Sequence, residues 1–413
     1  MRVLVVTAGS VGDVMPYTGL GVRLREAGHE VVLATHAGFE TLVLSRGLGF
    51  RSLPVDPRAQ LASACGQQLA RAGTGPRALA PLVRMAREIV PELGRGVLAS
   101  VEQGADVVLL STSVARLGHL VTRALEVPSM GVYVQPWAPT GDFRSALFGG
   151  GRSMGRWGNR ASSRAVLALS DRVYAAGIRE LRSRLGLARD ADCSSLRRER
   201  GPWPVNYAYS PTVLPRPADW PPTAQVTGYL WPARPEGWCP EAKLTAFLES
   251  GPPPVFIGFG SVVADPDRLS RIAVQALRAA GVRGVVQAGW SRLLACGDDV
   301  LTIDEVPHDW LFPRMSALVH AAGAGTTAAG LRAGVPAVPV PVQLDQPFWA
   351  ERLTALGVSP GPVPFRRLTA ERLGAAIRRT VTDPRYRMRA RQVARRIATE
   401  DGAGRVVAAV QHL

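Results

Sequence analysis

Lysine is almost absent from this chain: of its 49 basic residues only Lys243 is not an arginine. Cysteine is scarce as well, with four in 413 residues, at positions 65, 193, 239 and 296. None forms a CxxC pair or joins a Cys/His cluster, which excludes a zinc site and a disulfide framework. Long apolar runs are missing too. The opening MRVLVVTAGS is too short to span a bilayer and no small-residue cleavage site follows it, so it reads as a buried strand of a cytoplasmic protein. Aromatic residues make up only 6% of the chain. They do not interleave with the basic clusters at Arg197, Arg198 and Arg200 or from Arg378 to Arg405, so the stacking surface of a single-strand binder is lacking and no nucleic-acid partner is expected. The formal net charge of +16 therefore describes solvated arginine faces or, as the partner reading, peripheral contact with an anionic membrane.

What is present points to a large folded interior. Hydrophobic residues make up 46% and charged residues 20% of the composition, and the length suits two domains. Short valine-rich runs alternate with helical periodicity: Val3 to Thr7, then a helix Tyr17 to Ala27, then strands at Val31 to Ala34, Asp106 to Leu110 and Ser129 to Val134. Prolines crowd positions 211–240 and mark a connection. Immediately after it PVFIGFGS restarts the theme of apolar strand and glycine turn, followed by a helix from Arg268 to Ala280 and strands at Val285 to Gln287, Val300 to Ile303, Ala317 to Val319 and Ala337 to Val340. Such alternation predicts two α/β domains with parallel sheets, whose ligands bind at the carboxyl ends of the strands. The predicted boundaries are 1–210, a linker 211–235, a second domain 236–385 and a helical tail 386–413.

The stretch HAAGAGTTAAGLRAGVPAVPVPVQLDQPFW, His320 to Trp349, carries the chemistry. A glycine turn that opens a helix leaves backbone N–H groups unpaired at its positive end, a ready place for phosphate. Gly323 and Gly325 allow close approach, and Thr326 and Thr327 suit an N-cap and offer hydroxyls. His320, at the strand end, can give a hydrogen bond or a positive charge to the same oxygens. Asp345 and Gln346 follow the next strand with acceptors and donors suited to adjacent sugar hydroxyls. A phosphate site beside a polyol reader implies a nucleotide sugar.

This stretch resembles the donor-binding signature of the GT-B glycosyltransferases. The likeness is greatest to bacterial natural-product enzymes of the glycopeptide-antibiotic type and to sterol glucosyltransferases. MRVLVVTAGSVGDVMPYTGLGVRLREAGHEV is similar to their opening and DEVPHDWLF to the segment before the signature. The resemblance implies two Rossmann-like domains facing each other across a cleft, the N-terminal one for the acceptor and the C-terminal one for the donor. It gives the diphosphate to His320 and the Gly325, Thr326, Thr327 turn, with Ser261 of GFGS reaching it from the other side. It gives the base to the backbone of Val306, the sugar hydroxyls to Asp345 and Gln346, and the general base to Asp13 of TAGSVGD. Ser10 and Gly12 add contacts to donor or acceptor, and Trp290 is a candidate stacking surface.

The activity implied is inverting, metal-independent transfer from a UDP- or dTDP-linked sugar, with no cofactor beyond that co-substrate. The acceptor is an apolar natural product bound near Trp137, Phe143, Phe148 and Trp157 in the loops 56–81 and 135–158, with a sterol or other lipid as the alternative. Two further readings stand beside it. An NAD-dependent oxidoreductase also uses paired Rossmann-like domains, but neither glycine turn spells GxGxxG. A catalytically silent homologue serving as auxiliary partner to another enzyme is the other, against which stand the intact Asp13, His320, Asp345 and Gln346. Monomer and homodimer are equally compatible with the sequence.

Overall fold

The computed structural model describes all residues except 73–75, 149–152, 188–202, 263–264, 291 and 296, and except the side chains of 70–79 and 148. The arginines at 197, 198 and 200, the cysteines at 193 and 296 and the Phe148 side chain lie outside the described residues. The described residues form two compact units, one from residues up to 236 together with 400–413, the other from 237–399.

In the first unit β1 (Arg2–Val6) runs into α1 (Val11–Glu26), then β2 (Glu30–His36) and β3 (Gly49–Leu53). The helix α2 (Pro76–Glu102) leads to β4 (Val107–Leu110), α3 (Ala115–Ala124), β5 (Ser129–Tyr133), α4 (Gly155–Arg184), β6 (Val205–Tyr207) and β7 (Ala224–Val226). All seven strands are parallel in the order β3-β2-β1-β4-β5-β6-β7. β4, and β1 beyond its exposed Arg2, are apolar because helices cover both faces; Val3, Leu4, Val5, Leu109 and Leu110 have no measurable exposure. The chain order reverses between β1 and β4, and the crevice beyond their carboxyl ends is where a doubly wound sheet holds its ligand. Residues 7 to 13 fill that position.

The proline-rich stretch expected as a connection belongs to this unit and supplies its edge strand, β7. Its prolines flank the strand and do not enter it, as an edge tolerates. The predicted start of the first helix at Tyr17 is six residues late. Ser10 caps a helix that begins at Val11, and Pro16 sits inside it at the cost of one helix hydrogen bond. Close packing explains Gly19 in that helix: a Cβ there would lie 1.6 Å from the Trp231 carbonyl oxygen.

The second unit repeats the plan with β8 (Val255–Gly258), α5 (Pro266–Ala280), β9 (Gly284–Gln287), β10 (Val300–Ile303), α6 (His308–Leu311), β11 (Ala317–His320), α7 (Ala324–Ala333), β12 (Ala337–Pro339), α8 (Gln346–Ala355) and α9 (Ala370–Thr382). Its parallel sheet has the order β10-β9-β8-β11-β12, so the reversal falls between β8 and β11. Register places His320 level with Gly258 on one side and Pro339 on the other. The segment predicted as one tail divides. α10 (Pro384–Ile397), capped by Asp383, stays with the second unit, and α11 (Gly402–Val410) packs in the first, where Val406 and Val410 join the core. No helix among the described residues is long and apolar enough to cross a membrane.

Candidate active site

In the second unit Ser261, His320 with the α7 turn, and Asp345–Gln346 follow the neighbouring strands β8, β11 and β12, whereas Val306 follows β10, two strands from β8. β11 delivers His320, whose ring is 1% exposed. Its Nδ1 accepts the Ala322 N–H at 3.0 Å, which fixes the tautomer: the proton is on Nε2, a buried donor with no partner among the described residues. Ala322 is held at φ 62°, a left-handed conformation uncommon outside glycine, and the bond from its amide to the imidazole supports the strained turn. Burial drives the His320 pKa down to about 3, with nearby His308 acting in the same direction, so the ring is neutral at ordinary pH. Of the two roles expected of His320, the hydrogen bond is the one this neutral ring can give, and not the positive charge.

The capping prediction is also corrected. Gly323, not Thr326 or Thr327, is the N-cap of α7, and Thr327 stands four residues on, its amide already bonded to the Gly323 carbonyl at 2.9 Å. The amides left for an anion are those of Ala324, Gly325 and Thr326, the first three helical positions. A Cβ on Gly323 would meet nothing within 4 Å, so space lies over this turn. The Thr327 hydroxyl is buried and has no partner among the described residues. Beside the turn, β8 ends in a tight loop in which Gly260 takes φ 58° and its carbonyl accepts the Trp290 N–H at 3.0 Å. Ser261, half-buried, follows directly. Trp290 contributes here through its backbone.

The Asp345–Gln346 pair begins α8, past β12. Much of its hydrogen-bonding capacity is committed within the protein. The Gln346 Oε1 accepts the amides of Val342 and Gln343 at 2.8 and 3.0 Å, leaving its Nε2 group as the donor, and Asp345 Oδ2 accepts the Trp349 indole N–H at 2.9 Å. Val306 lies in the loop after β10, half-buried, and its backbone N–H and carbonyl make no hydrogen bond among the described residues. Two neighbours were not singled out from sequence. His308 stacks on Phe312 at 4.1 Å and 14° and meets the edge of Phe256, and burial lowers its pKa to about 4. Trp349, fully buried, orients Asp345.

In the first unit Asp13 occupies the third position of α1 and is not the cap. Its Oδ2 accepts the Ser10 N–H at 2.9 Å and the Ser10 hydroxyl at 3.1 Å. Burial raises its pKa, partly opposed by these two bonds and by the Gln135 side chain. Gly12, exposed in the same turn, keeps an amide that no helix carbonyl can reach. Among the aromatic residues predicted for the acceptor, Phe143 packs edge-on against Trp220, which lies tilted by 32° against Tyr207 at 4.3 Å, while Trp137 is half-buried and Trp157 is 85% exposed. A separate cavity of about 370 Å³ lies between Val55, Asp56, Ala59, Met85, Glu88 and Ile89; the loop expected over 56–81 is corrected here, because this stretch forms the helices Pro57–Ala62 and Ala64–Ala72 and the start of α2.

Two doubly wound parallel sheets, one with a buried N–H donor and a glycine-opened helix at its reversal point and one with a carboxylate there, define the architecture of a GT-B glycosyltransferase. The relatives agree. Residues 3–113 match the family model described as glycosyltransferase family 28 N-terminal domain, and residues 285–413 match the erythromycin biosynthesis protein CIII-like C-terminal domain. The chain is 36% identical over 409 residues to O-mycaminosyltylonolide 6-deoxyallosyltransferase of Streptomyces fradiae, covering 97% of this chain and 95% of that protein. It is 33% identical over 417 residues to sterol 3-beta-glucosyltransferase UGT80B1 of Arabidopsis thaliana, covering 98% of this chain and 67% of that one. It spans 27% of the sterol 3-beta-glucosyltransferase of Cryptococcus neoformans. Among solved structures, the glycosyltransferase SsfS6 of Streptomyces sp. SF2575, complexed with thymidine diphosphate, superposes with a TM-score of 0.67 at 23% identity, covering both chains fully. The glycotransferase of kitacinnamycin gives 0.71 at 19%, covering 100% of this chain and 98% of that one. The chain belongs to the glycosyltransferase family that contains these sterol and macrolide enzymes.

Proposed function

We propose that the protein transfers a sugar from a nucleoside diphosphate to a hydroxyl of an apolar natural product, with inversion at the anomeric carbon. The observation that carries this reading is the set of unused donors at the second sheet: His320 Nε2–H, the Thr327 hydroxyl and the first amides of α7, all within one strand-turn-helix. Unpartnered buried donors are costly unless an anion or acceptor completes them. Asp345 and the Nε2 group of Gln346 hold the sugar, Val306 offers its backbone to the base, and Ser261 reaches the diphosphate.

Asp13 removes the acceptor's proton as that oxygen attacks the anomeric carbon. The bond from this carbon to the diphosphate oxygen breaks, and the growing negative charge is met by the α7 amides and by His320. These neutral, fixed donors need no proton of their own to act. The acceptor rests on the first unit, where the aromatic loop from Trp137 to Phe143 provides an apolar wall and the cavity around Ala59 and Met85 mixes apolar side chains with the carboxylates of Asp56, Glu88 and Glu92. A polyketide-type acceptor is favoured over a sterol because the Streptomyces relative is matched over nearly its full length, whereas the plant sterol enzyme is matched over two thirds.

Calorimetric titration with UDP, dTDP, UDP-glucose and dTDP-glucose tests the donor half. Binding of one diphosphate by the wild type, weakened in His320→Ala, supports the reading. If neither diphosphate binds, it falls. Mass analysis of products from macrolactone and sterol acceptors then decides the second half.

A further inference from the structure

β2 ends at His36, a residue with no role in the reaction described above. Its ring is 3% exposed and its Nε2 accepts the Gly9 N–H at 3.0 Å. An accepting Nε2 carries no proton, so the neutral ring is protonated on Nδ1. Nδ1 is buried and forms no well-formed hydrogen bond, although the adjoining Pro54 and Val55 backbone favours a proton there. Burial lowers the pKa of the ring, which keeps it an acceptor at neutral pH.

Gly9 is the residue before the Ser10–Asp13 pair. It takes φ 140°, and a Cβ on it would lie 2.4 Å from Asp13 Oδ2, so its backbone is pressed against the carboxylate. The peptide that follows supplies the Ser10 N–H bonded to the same oxygen. Holding the Gly9 amide therefore sets the direction of that donor. The rest of the loop is pinned by hydroxyls, Thr7 Oγ1 to the Asp13 carbonyl at 2.8 Å and Ser113 Oγ to the Ala8 carbonyl at 2.7 Å. On its other side the imidazole adjoins the turn at Val55, which is held at φ 87°, a strained conformation for a β-branched residue, and which also lines the cavity beside Ala59.

We propose that His36 is a positioning residue for Asp13: its Nε2 clamps the Gly9 amide and so keeps the Ser10 donors on the carboxylate that serves as base. The proposal rests on the assignment of Asp13 as base. Among the described residues, Asp56 is the charged group that acts on His36, and Tyr17 is a titratable neighbour of Asp13.

The test compares His36→Gln with His36→Phe. Glutamine places Oε1 where Nε2 stood and keeps an acceptor, whereas phenylalanine fills the space without one. Carbon-13 carboxyl NMR, with the Asp13 signal assigned through Asp13→Asn, should show equal Asp13 titration in the wild type and His36→Gln. In His36→Phe the midpoint should rise by about one pH unit as the Ser10 donors are lost. With the donor and acceptor identified by the titrations and product analysis above, kcat of His36→Phe should fall about tenfold or more at unchanged donor KM. A folded His36→Phe whose Asp13 titrates as in the wild type overturns the proposal. If that variant does not fold, nitrogen-15 NMR of the wild-type histidines decides: a protonated Nε2 on His36 at neutral pH overturns the proposal without any substitution. An active Asp13→Asn instead sinks the base assignment, while an inactive Asp13→Asn with an unmoved titration sinks the role of His36 alone.

Discussion

The indole N–H of Trp349 donates to Oδ2 of Asp345 at 2.9 Å, one helical turn away, so the carboxylate given to the sugar is aimed by a residue that touches no ligand in this assignment. Trp349→Phe keeps a buried ring and removes the donor, at the added cost of a cavity where the larger indole stood, which a stability measurement reads separately. Hydrogen bonds to charged groups contribute about 1.5–3 kcal/mol. The donor-sugar KM should therefore rise roughly tenfold or more, with affinity for the free nucleoside diphosphate unchanged. Parallel losses for diphosphate and sugar nucleotide would show that Asp345 is not the sugar's partner.

Asp13→Asn removes the base and preserves the shape of the turn. Turnover should fall by about 10²–10⁴, the range for general acid–base groups, with diphosphate binding intact in calorimetry. Because burial raises the Asp13 pKa, the acid-side fall in rate should lie above the ordinary aspartate value. An acid-side fall at or below that ordinary value counts against Asp13.

His320 and His308 make the second unit acid-sensitive. Their folded pKa values, about 3 and about 4, lie below the unfolded value of 6.5, so below pH 6.5 the unfolded chain binds protons that the native one does not. Their contribution to stability is complete above pH 6.5 and is lost as the pH falls from there toward 4 and then 3. Urea unfolding at pH 7, 6, 5 and 4 should show this decline, and His320→Gln should flatten it.

Thr327→Val is nearly isosteric and deletes a hydroxyl that has no partner within the described protein. Thermal stability should be equal or higher, because no internal hydrogen bond is lost. Diphosphate affinity should weaken several-fold. A loss of stability with unchanged affinity would assign the hydroxyl to the fold.

The two-sheet architecture was legible because parallel strands buried on both faces are written as continuous apolar runs, as at Val3 to Val6 and Val255 to Gly258. The turn between β11 and α7 was legible as a strand, a histidine and two glycines. What could not be read was the finer assignment of hydrogen bonds. Threonine is a common cap, yet Gly323 caps α7, because the strained Ala322 starts the helix earlier than the threonines do. The charge of His320 depends on a burial that only the third dimension creates. His36 lies 27 residues from Gly9, and the pairing of β1 with β2 that brings them together carries no sequence mark of its own. Gln346 looked like a free reader of hydroxyls, but half its amide serves the backbone of its own loop.

The last helix has a practical consequence for recombination between members of this family. Residues 400–413 follow the second unit in sequence but complete the first: Arg23 pairs with Asp401 at 3.2 Å, Gly402 lies against Gly228 so closely that a Cβ would be 2.4 Å from its carbonyl oxygen, and Val406 is fully buried in the first core. A chimera that exchanges second units with one crossover after residue 236 grafts a foreign helix onto an unmatched core. Two crossovers, one near 236 and one near 399, transplant the second unit and leave the recipient's first unit whole.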